Sequence, residues 1–174
     1  MGFHGQSNAT VLQLNEHPKF VGGSWLHIIF DIDGTLLDIS HRLKLIKTKP
    51  KDWEAFRDPI QKRWDEPRLE IISILVALHQ AGHTIILASG RVESEREATL
   101  STLHRYIPFI DALPFFLRKD GDYRKDTVLK ESMLPKMKQK GYHPVMAFDD
   151  RPSIVRMWRA NDLVVADVGV GKDF

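Results

Sequence analysis

The feature that most restricts the possible folds of this chain is an alternation of short apolar runs with longer helical patterns. Five runs have the length and composition of buried strands, and they span residues 26–30, 84–88, 112–117, 144–148 and 163–168. Between them lie stretches with apolar residues at helical spacing, of which the clearest begins at Pro67 and ends before Gly82. This order predicts an α/β fold, in which a parallel five-stranded sheet has helices on both faces.

Two segments do not fit the alternation. Residues 1–24 end in two glycines and a serine, and they predict a poorly ordered N-terminal arm. Residues 39–66 are too long for a simple connection between a strand and a helix, and they predict a small insert. We therefore expect a single domain, residues 25–174, that carries this insert.

The composition excludes several classes of protein. No cysteine is present among the 174 residues, which excludes disulfides, thiolate metal sites and cysteine nucleophiles. The longest apolar run, residues 71–78, is far too short to span a bilayer, and the polar first twenty residues contain no signal-peptide core. These features predict a cytoplasmic protein without a membrane segment.

The net charge is only +2, but positive charge is concentrated between Asp38 and Asp52. This stretch contains no acid and five cations: Arg42, Lys44, Lys47, Lys49 and Lys51. A local basic stretch favours a polyanionic ligand, although a solvated surface of lysines would have the same composition.

Aromatic residues follow the basic stretch. Trp53, Phe56 and Ile60 recur at helical spacing, and Trp64 lies one turn further on. This spacing is more typical of a core than of a ligand platform. Aromatic side chains within a basic insert would, however, also suit base stacking combined with phosphate attraction.

The most specific motif lies directly after the first apolar run. Asp31 and Asp33 are followed there by Gly34 and Thr35. Two carboxylates at this spacing, beyond a buried strand, can present one as a nucleophile and metal ligand with the next carbonyl and carboxylate beside it. A calcium loop does not fit, because its glycine would lie at the fourth position and not the sixth.

Polar residues also follow three of the other runs: Ser89, Arg118, and Asp149 with Asp150. Ligands of open α/β sheets bind outside the carboxyl ends of the strands. We therefore expect the chemistry of this chain to lie along one edge of its sheet.

The motifs resemble those of the haloacid dehalogenase superfamily of aspartate-nucleophile phosphohydrolases. The four motifs of that superfamily match, in order, Asp31-x-Asp33-Gly-Thr, Ser89-Gly-Arg91, a lysine between positions 125 and 130, and Asp149-Asp150. Residues 118–130, 148–151, 157–159 and 172–174 extend the resemblance to the phosphatase domain of phage-type polynucleotide kinase 3′-phosphatases. This resemblance covers about residues 26–174. The kinase half has no match, because residues 169–172 lack the full P-loop pattern.

The resemblance implies a Rossmann-like core with a small helical cap at residues 39–66, a Mg²⁺ cofactor and an aspartyl-phosphate intermediate. It implies that Asp31 is the nucleophile and that Asp33 is the general acid and base. The Mg²⁺ ion would be held by Asp31, by the backbone carbonyl of Asp33 and by Asp149, with Asp150 beside them.

The resemblance also implies residues that recognise the phosphoryl group. Ser89 and neighbouring backbone N–H groups, including that of Gly90, would hold a phosphoryl oxygen. A lysine would offset the charge of the nucleophile and the phosphate, and the alignment favours Lys130 over Lys125. Thr35 is expected to contact the substrate.

Two arginines that follow strand ends, Arg91 and Arg118, are further candidates for phosphate binding. Their planar guanidinium groups suit phosphate recognition. The alternative is a salt bridge to a nearby acid such as Glu93 or Asp120.

The implied function is a Mg²⁺-dependent phosphomonoesterase that removes 3′-phosphates from polynucleotide ends. Its partners would be phosphorylated nucleic acid ends or nucleotides, with no obligate protein partner. A phosphatase of mononucleotides or other small phosphate esters is the alternative, because the motifs recognise the phosphoryl group and not what carries it. A binding protein that keeps the fold without turnover is disfavoured, since acids are present at every motif position.

Overall fold

The computed structural model describes residues 25–47 and 49–171 and shows an α/β fold. In chain order the elements are β1 (His27–Phe30), β2 (Leu37–Asp38), α1 (Ser40–Lys47), α2 (Trp53–Arg57), α3 (Pro59–Lys62), β3 (Glu66–Pro67), α4 (Leu69–Gln80), β4 (Thr84–Val92), α5 (Arg96–His104), β5 (Phe115–Arg118), α6 (Asp126–Glu131), α7 (Met133–Gln139), β6 (Pro144–Asp149), α8 (Pro152–Ala160) and β7 (Val164–Asp167). Short 3₁₀ turns lie at Glu93–Glu95 and Ile110–Ala112. The predicted N-terminal arm lies outside the described residues.

Five of the strands form one sheet, in the order β5-β4-β1-β6-β7. All neighbouring strands in it are parallel, which confirms the predicted fold class. Strand β1 is central, and the sheet extends from it in both directions: β4 pairs with one side of β1 and β6 with the other. This topology places the carboxyl end of β1 at the switch point where ligands of such sheets bind.

Both faces of the sheet are covered by helices. Successive residues of β1 point to opposite faces, so Ile28 and Phe30 belong to one apolar cluster and Ile29 to the other. The first cluster is completed by α4 and α5, and the second by α6, α7 and α8. Burial on both faces explains why the strands have continuous apolar sequences. Among the described residues, no helix has both the length and the apolar character needed to cross a membrane.

The helical cap comprises α1, α2 and α3 and lies between β2 and β3. These two short strands form an antiparallel ladder, in which Leu37 pairs with Pro67 and Asp38 with Glu66. The two ends of the cap are therefore adjacent in space.

Two local predictions are wrong. The second strand does not stop before Ser89 but continues to Val92, so Ser89, Gly90 and Arg91 lie within β4. The aromatic stripe is not part of the core, because Trp53 is 43% exposed and Trp64 is 70% exposed. Asp58 and Pro59 divide the segment into α2 and α3, so the helical spacing does not extend across it.

Candidate active site

The centre of the site is a buried ammonium that bridges two carboxylates. Asp31 follows β1, and Asp149 ends the neighbouring strand β6; both are buried. Lys130 reaches them from α6, and its Nζ donates to Asp31 Oδ1 at 2.7 Å and to Asp149 Oδ2 at 2.8 Å. Trp158 Nε1 donates to the same oxygen of Asp149 at 3.1 Å. Lys125, the other lysine considered from the sequence, is an exposed residue at the start of α6.

Asp150 adds a third carboxylate. One carboxylate oxygen from each of Asp31, Asp149 and Asp150 lies within 4.8 Å of the other two. We call Asp31, Lys130, Asp149 and Asp150 the metal-side cluster. Three carboxylates and one ammonium leave this cluster with an excess of two negative charges when all four groups are ionised. Oxygen donors with excess negative charge fit a hard divalent cation such as Mg²⁺.

The electrostatics of the metal-side cluster reflect this excess. Burial, reinforced by Asp149 and Asp150, raises the pKa of Asp31 well above its usual range in spite of the opposing charge of Lys130. Burial and the charge of Asp149 raise the pKa of Asp150 to about 6. In the metal-free protein Asp31 and Asp150 therefore retain their protons to a higher pH than ordinary aspartates do.

The space around Asp150 is closed by glycines. Gly34 has a φ of +91°, and a Cβ atom there would lie 2.1 Å from Asp150 Oδ2. A Cβ atom on Gly169 would lie 1.8 Å from the backbone oxygen of Asp150. Thr35, expected from the sequence to contact substrate, is fully buried, and its Oγ1 donates to Asp150 Oδ1 at 3.5 Å. Glycine is therefore required at positions 34 and 169 because Asp150 lies too close for a Cβ atom at either position.

Asp33 belongs to a second cluster, in which two arginines join two carboxylates. Arg91, in β4, donates from Nη2 to Asp33 Oδ1 at 2.6 Å and to Asp65 Oδ2 at 2.6 Å. Arg42, in α1, donates from Nη2 to the same Asp33 oxygen at 2.7 Å and from Nε to Asp65 Oδ1 at 2.7 Å. We call Asp33, Arg42, Asp65 and Arg91 the cap-side cluster. Its charges balance, and the side chain of Asp65 is fully buried.

The two arginines determine the charge of Asp33. Burial alone would raise its pKa, but the charges of Arg91 and Arg42 hold that pKa well below its usual range. Asp33 is therefore a carboxylate at neutral pH in this arrangement.

The remaining predicted residues lie beside these clusters. Ser89 is buried, and its Oγ accepts from the backbone N–H of Arg91 at 3.2 Å. Arg118 donates to the carbonyl oxygens of Gly90, Asp122 and Arg124 at 3.1, 2.9 and 2.8 Å, and to the carboxylate of Asp126. All three nitrogens of its guanidinium thus bind the protein, and they fix the loop after β5 against β4.

Three expectations about charged residues need correction. Arg42 is not part of a surface basic stretch, because it is fully buried against Asp33 and Asp65. The acids that pair with Arg91 are Asp33 and Asp65 and not Glu93. The acid closest to Arg118 is Asp126 and not Asp120.

Asp65 was not identified from the sequence. It lies in the cap, 23 and 26 residues from its two arginine partners, and no motif marks it. The sequence signal for Arg42 is its spacing of four residues from the apolar Ile46, which places both on one face of α1; the structure shows that this face is buried.

Comparison with known proteins assigns this chain to a family. Residues 26–174 match the family model described as the polynucleotide kinase PNKP phosphatase domain. The chain belongs to this family. It is a phosphatase domain of the haloacid dehalogenase type.

Individual relatives extend the comparison. Over 96 residues the chain is 32% identical to a candidate bifunctional polynucleotide kinase/RNA ligase of Autographa californica nuclear polyhedrosis virus, covering 55% of this chain and 14% of the viral protein. A chain of the Pnkp1/Rnl/Hen1 RNA repair complex is 29% identical, with a TM-score of 0.67, and covers 85% of this chain and 44% of its own length. The chain thus spans less than half the length of these relatives.

A more distant structure shows the same fold. The class C acid phosphatase of Bacillus anthracis, solved with tungstate bound, is 18% identical, with a TM-score of 0.58. The aligned region covers 86% of this chain and 70% of the acid phosphatase.

Proposed function

We propose that this domain removes 3′-phosphates from polynucleotide ends in a Mg²⁺-dependent reaction with an aspartyl-phosphate intermediate. The observation that carries the proposal is the buried contact of Lys130 with Asp31 and Asp149, with Asp150 beside them. An aspartate held next to both a cation and a metal-binding set of carboxylates is suited to attack an anionic phosphate.

The residues of the metal-side cluster fit Mg²⁺, which would be held by Asp31, Asp149 and Asp150 together with the backbone carbonyl of Asp33. When bound, the ion neutralises the carboxylates and the phosphoryl oxygens, which would otherwise repel one another.

Asp31 acts as the nucleophile. One of its carboxylate oxygens forms a bond to phosphorus while the bond to the 3′-oxygen breaks, so the phosphoryl group is transferred to Asp31. Water then attacks phosphorus and regenerates the carboxylate with release of inorganic phosphate. Lys130 fixes the Asp31 carboxylate and offsets the charge that accumulates as phosphate approaches.

Asp33 supplies the proton for the leaving 3′-oxygen and later accepts one from the attacking water. In the free protein its two arginines keep it ionised. The negative charge of a bound phosphate offsets the charges of Arg91 and Arg42 and so raises the pKa of Asp33. Asp33 then takes up a proton from solvent and donates it to the leaving 3′-oxygen.

The backbone N–H groups after Ser89 hold a phosphoryl oxygen in this proposal. Arg118 orders them indirectly, because it binds the carbonyl oxygen of Gly90. Arg91 likewise acts through Asp33, to which it is already bonded.

Polynucleotide substrates are supported by the family match and by the charge of the cap. With Arg42 buried, the exposed basic residues of this stretch are four lysines: Lys44, Lys47, Lys49 and Lys51. They can attract phosphates upstream of the one that is cleaved. A phosphatase of mononucleotides or small phosphate esters is the second candidate, because both clusters recognise only the phosphoryl group.

The test of the substrate class is phosphate release in the presence of Mg²⁺. Single-stranded oligonucleotides with a 3′- or a 5′-phosphate are compared with 3′- and 5′-mononucleotides. The proposal predicts the highest kcat/KM for the 3′-phosphorylated oligonucleotide. Equal or better turnover of mononucleotides would favour the second candidate.

The role of the lysines is tested by replacing Lys44, Lys47 and Lys49 together with glutamine. Each phosphate contact on a single strand contributes a slope of about −0.7 to the salt dependence, so two or three contacts weaken binding about 5- to 20-fold between 50 and 200 mM salt. The triple variant is expected to reduce that dependence and to raise KM for the oligonucleotide but not for a 3′-mononucleotide. The matched control replaces Lys136, Lys138 and Lys140, three exposed lysines in and directly after α7, outside the cap.

A further inference from the structure

Trp158 is a fully buried tryptophan whose polar atom faces the metal-side cluster. It lies on α8 within the second apolar cluster, and Ile154 lies one turn earlier on the same face of the helix. Helical side chains lean towards the N-terminus of their helix, and this direction brings the indole ring to the end of β6. There its Nε1 donates to Asp149 Oδ2 at 3.1 Å. Apolar packing of the ring therefore sets the direction of a hydrogen bond to a proposed metal ligand.

The two carboxylate oxygens of Asp149 have different partners. Oδ2 accepts from Trp158 Nε1 and also from Lys130 Nζ, which lies at 2.8 Å. A carboxylate oxygen has two lone-pair sites, so these two donors fill Oδ2. Among the hydrogen bonds of the described residues, Oδ1 accepts one, from the backbone N–H of Arg151 at the longer distance of 3.3 Å. Oδ1 is therefore the oxygen of Asp149 that can still accept a cation.

Lys130 does not fix the Asp149 carboxylate by itself. Its ammonium is also bonded to Asp31 Oδ1 at 2.7 Å, and an ammonium is a compact charge on a flexible stem with no fixed direction of donation. The indole N–H has one direction, which lies in the plane of a ring held on all sides by the core. Carboxylate ligands that are hydrogen-bonded to a fixed neighbour are held ready for their metal. Trp158 supplies that fixed neighbour to Asp149.

We propose that Trp158 is a positioning residue for the metal, because its N–H holds Asp149 Oδ2 and so directs Asp149 Oδ1 to the cation. This inference rests on the proposed function, of which Mg²⁺ binding is a part. Trp158 contacts a proposed ligand and not the reacting atoms. Loss of its N–H is therefore expected to weaken Mg²⁺ binding and to leave the chemical step unchanged once the metal is bound.

The test is Mg²⁺ binding, measured by isothermal titration calorimetry at neutral pH without substrate. Trp158→Phe removes the N–H and keeps a large apolar ring, and it is expected to weaken Mg²⁺ binding about 10- to 100-fold. A second variant carries 3-benzothienylalanine at position 158, in which sulfur replaces the N–H in a ring of nearly the same size. This variant should weaken binding by a similar factor, which separates the lost hydrogen bond from lost volume.

The matched control for packing is Met137→Ala. Met137 lies on α7 and is fully buried in the same apolar cluster as Trp158. Its truncation should lower the denaturant midpoint of unfolding and leave the Mg²⁺ affinity unchanged.

Turnover of p-nitrophenyl phosphate gives a second readout. Trp158→Phe should need about 10- to 100-fold more Mg²⁺ for its half-maximal rate. At saturating Mg²⁺ its kcat and its KM for the phosphate ester should return close to the wild-type values. A merely structural role would lower kcat at every Mg²⁺ concentration.

The possible results distinguish the inference from the proposed function. Wild-type Mg²⁺ affinity in the benzothienylalanine variant would overturn the inference, as would an equal loss of affinity in Met137→Ala. If Trp158→Phe does not fold, the benzothienylalanine variant alone gives the answer. Cleavage of a 3′-phosphorylated oligonucleotide by the wild type would in these cases leave the proposed function unaffected. If the wild type binds Mg²⁺ but releases no phosphate from that oligonucleotide, the proposed function fails, and weaker binding by the benzothienylalanine variant still supports the role of Trp158.

Discussion

Asp31 and Asp33 are two residues apart, yet their side chains belong to clusters with different charge balance. Asp31 shares one lysine with Asp149 and has Asp150 beside it, whereas Asp33 lies between two arginines that it shares with Asp65. The metal-side cluster therefore has an excess of negative charge, whereas the charges of the cap-side cluster balance within the protein. From this difference we expect that the proposed metal binding and the position of the Asp33 side chain can be disturbed independently.

The largest effect is expected from Asp31→Asn in the metal-side cluster. An amide cannot attack phosphorus and does not supply a negatively charged ligand, so turnover should fall by about 10⁴-fold or more. The measurement is phosphate release from p-nitrophenyl phosphate and from a 3′-phosphorylated oligonucleotide, with circular dichroism to check the fold. Appreciable activity in a clean preparation of this variant would rule out the covalent mechanism.

Removal of the metal should affect the metal-side cluster and not the cap-side cluster. We expect EDTA to remove activity, Mg²⁺ to restore it, and Zn²⁺ to substitute poorly, because all proposed ligands are oxygen atoms. Mg²⁺ at a hundred times its dissociation constant should also stabilise the fold by about 2.7 kcal/mol at neutral pH. Asp149→Asn should remove this stabilisation, and full activity without metal would contradict the site.

Asp65→Asn tests the cap-side cluster. The substitution leaves Arg42 and Arg91 buried with Asp33 as their remaining carboxylate partner in the cluster, and breaking such a network typically costs about 3–5 kcal/mol of unfolding free energy. Denaturant unfolding measures this loss. The matched control is Glu66→Gln, a change at the adjacent, exposed acid.

The same variant shows whether Asp65 acts through Asp33. A misplaced general acid should slow substrates with a poor leaving group more than p-nitrophenyl phosphate, whose leaving group needs little protonation. The stabilisation by Mg²⁺ should be unchanged. An equal loss of kcat for both substrates would indicate a purely structural role.

The smallest expected effect concerns the pH dependence of the metal-free protein. Because the pKa of Asp150 is raised to about 6, the folded state binds more protons than the unfolded state between about pH 4 and 6. Stability should therefore fall as pH rises through this range, by about 1–3 kcal/mol from this group. Asp150→Asn should reduce that decline, as measured by denaturant unfolding in EDTA, and an unchanged slope would contradict the assignment.

The metal-side cluster follows from the sequence more directly than the cap-side cluster does. Asp31 directly follows β1 and Asp149 ends the neighbouring parallel strand β6, so the strand pattern is enough to bring them together. Arg42 and Asp65 meet because three cap helices fold back on themselves, and the pattern of one segment contains no information about that pairing. Arg91 shows the same limit, since the sequence indicates a turn where β4 in fact continues to Val92.

The ladder between β2 and β3 has a consequence for how this domain can be re-engineered. The cap enters and leaves through two facing residue pairs, so a segment of another length can replace it without moving the sheet. A replacement segment must nevertheless supply an arginine to Asp33 and a carboxylate to Arg91, as Arg42 and Asp65 do. A replacement cap can therefore differ in length and shape. It must keep two side chains, the arginine that binds Asp33 and the carboxylate that binds Arg91.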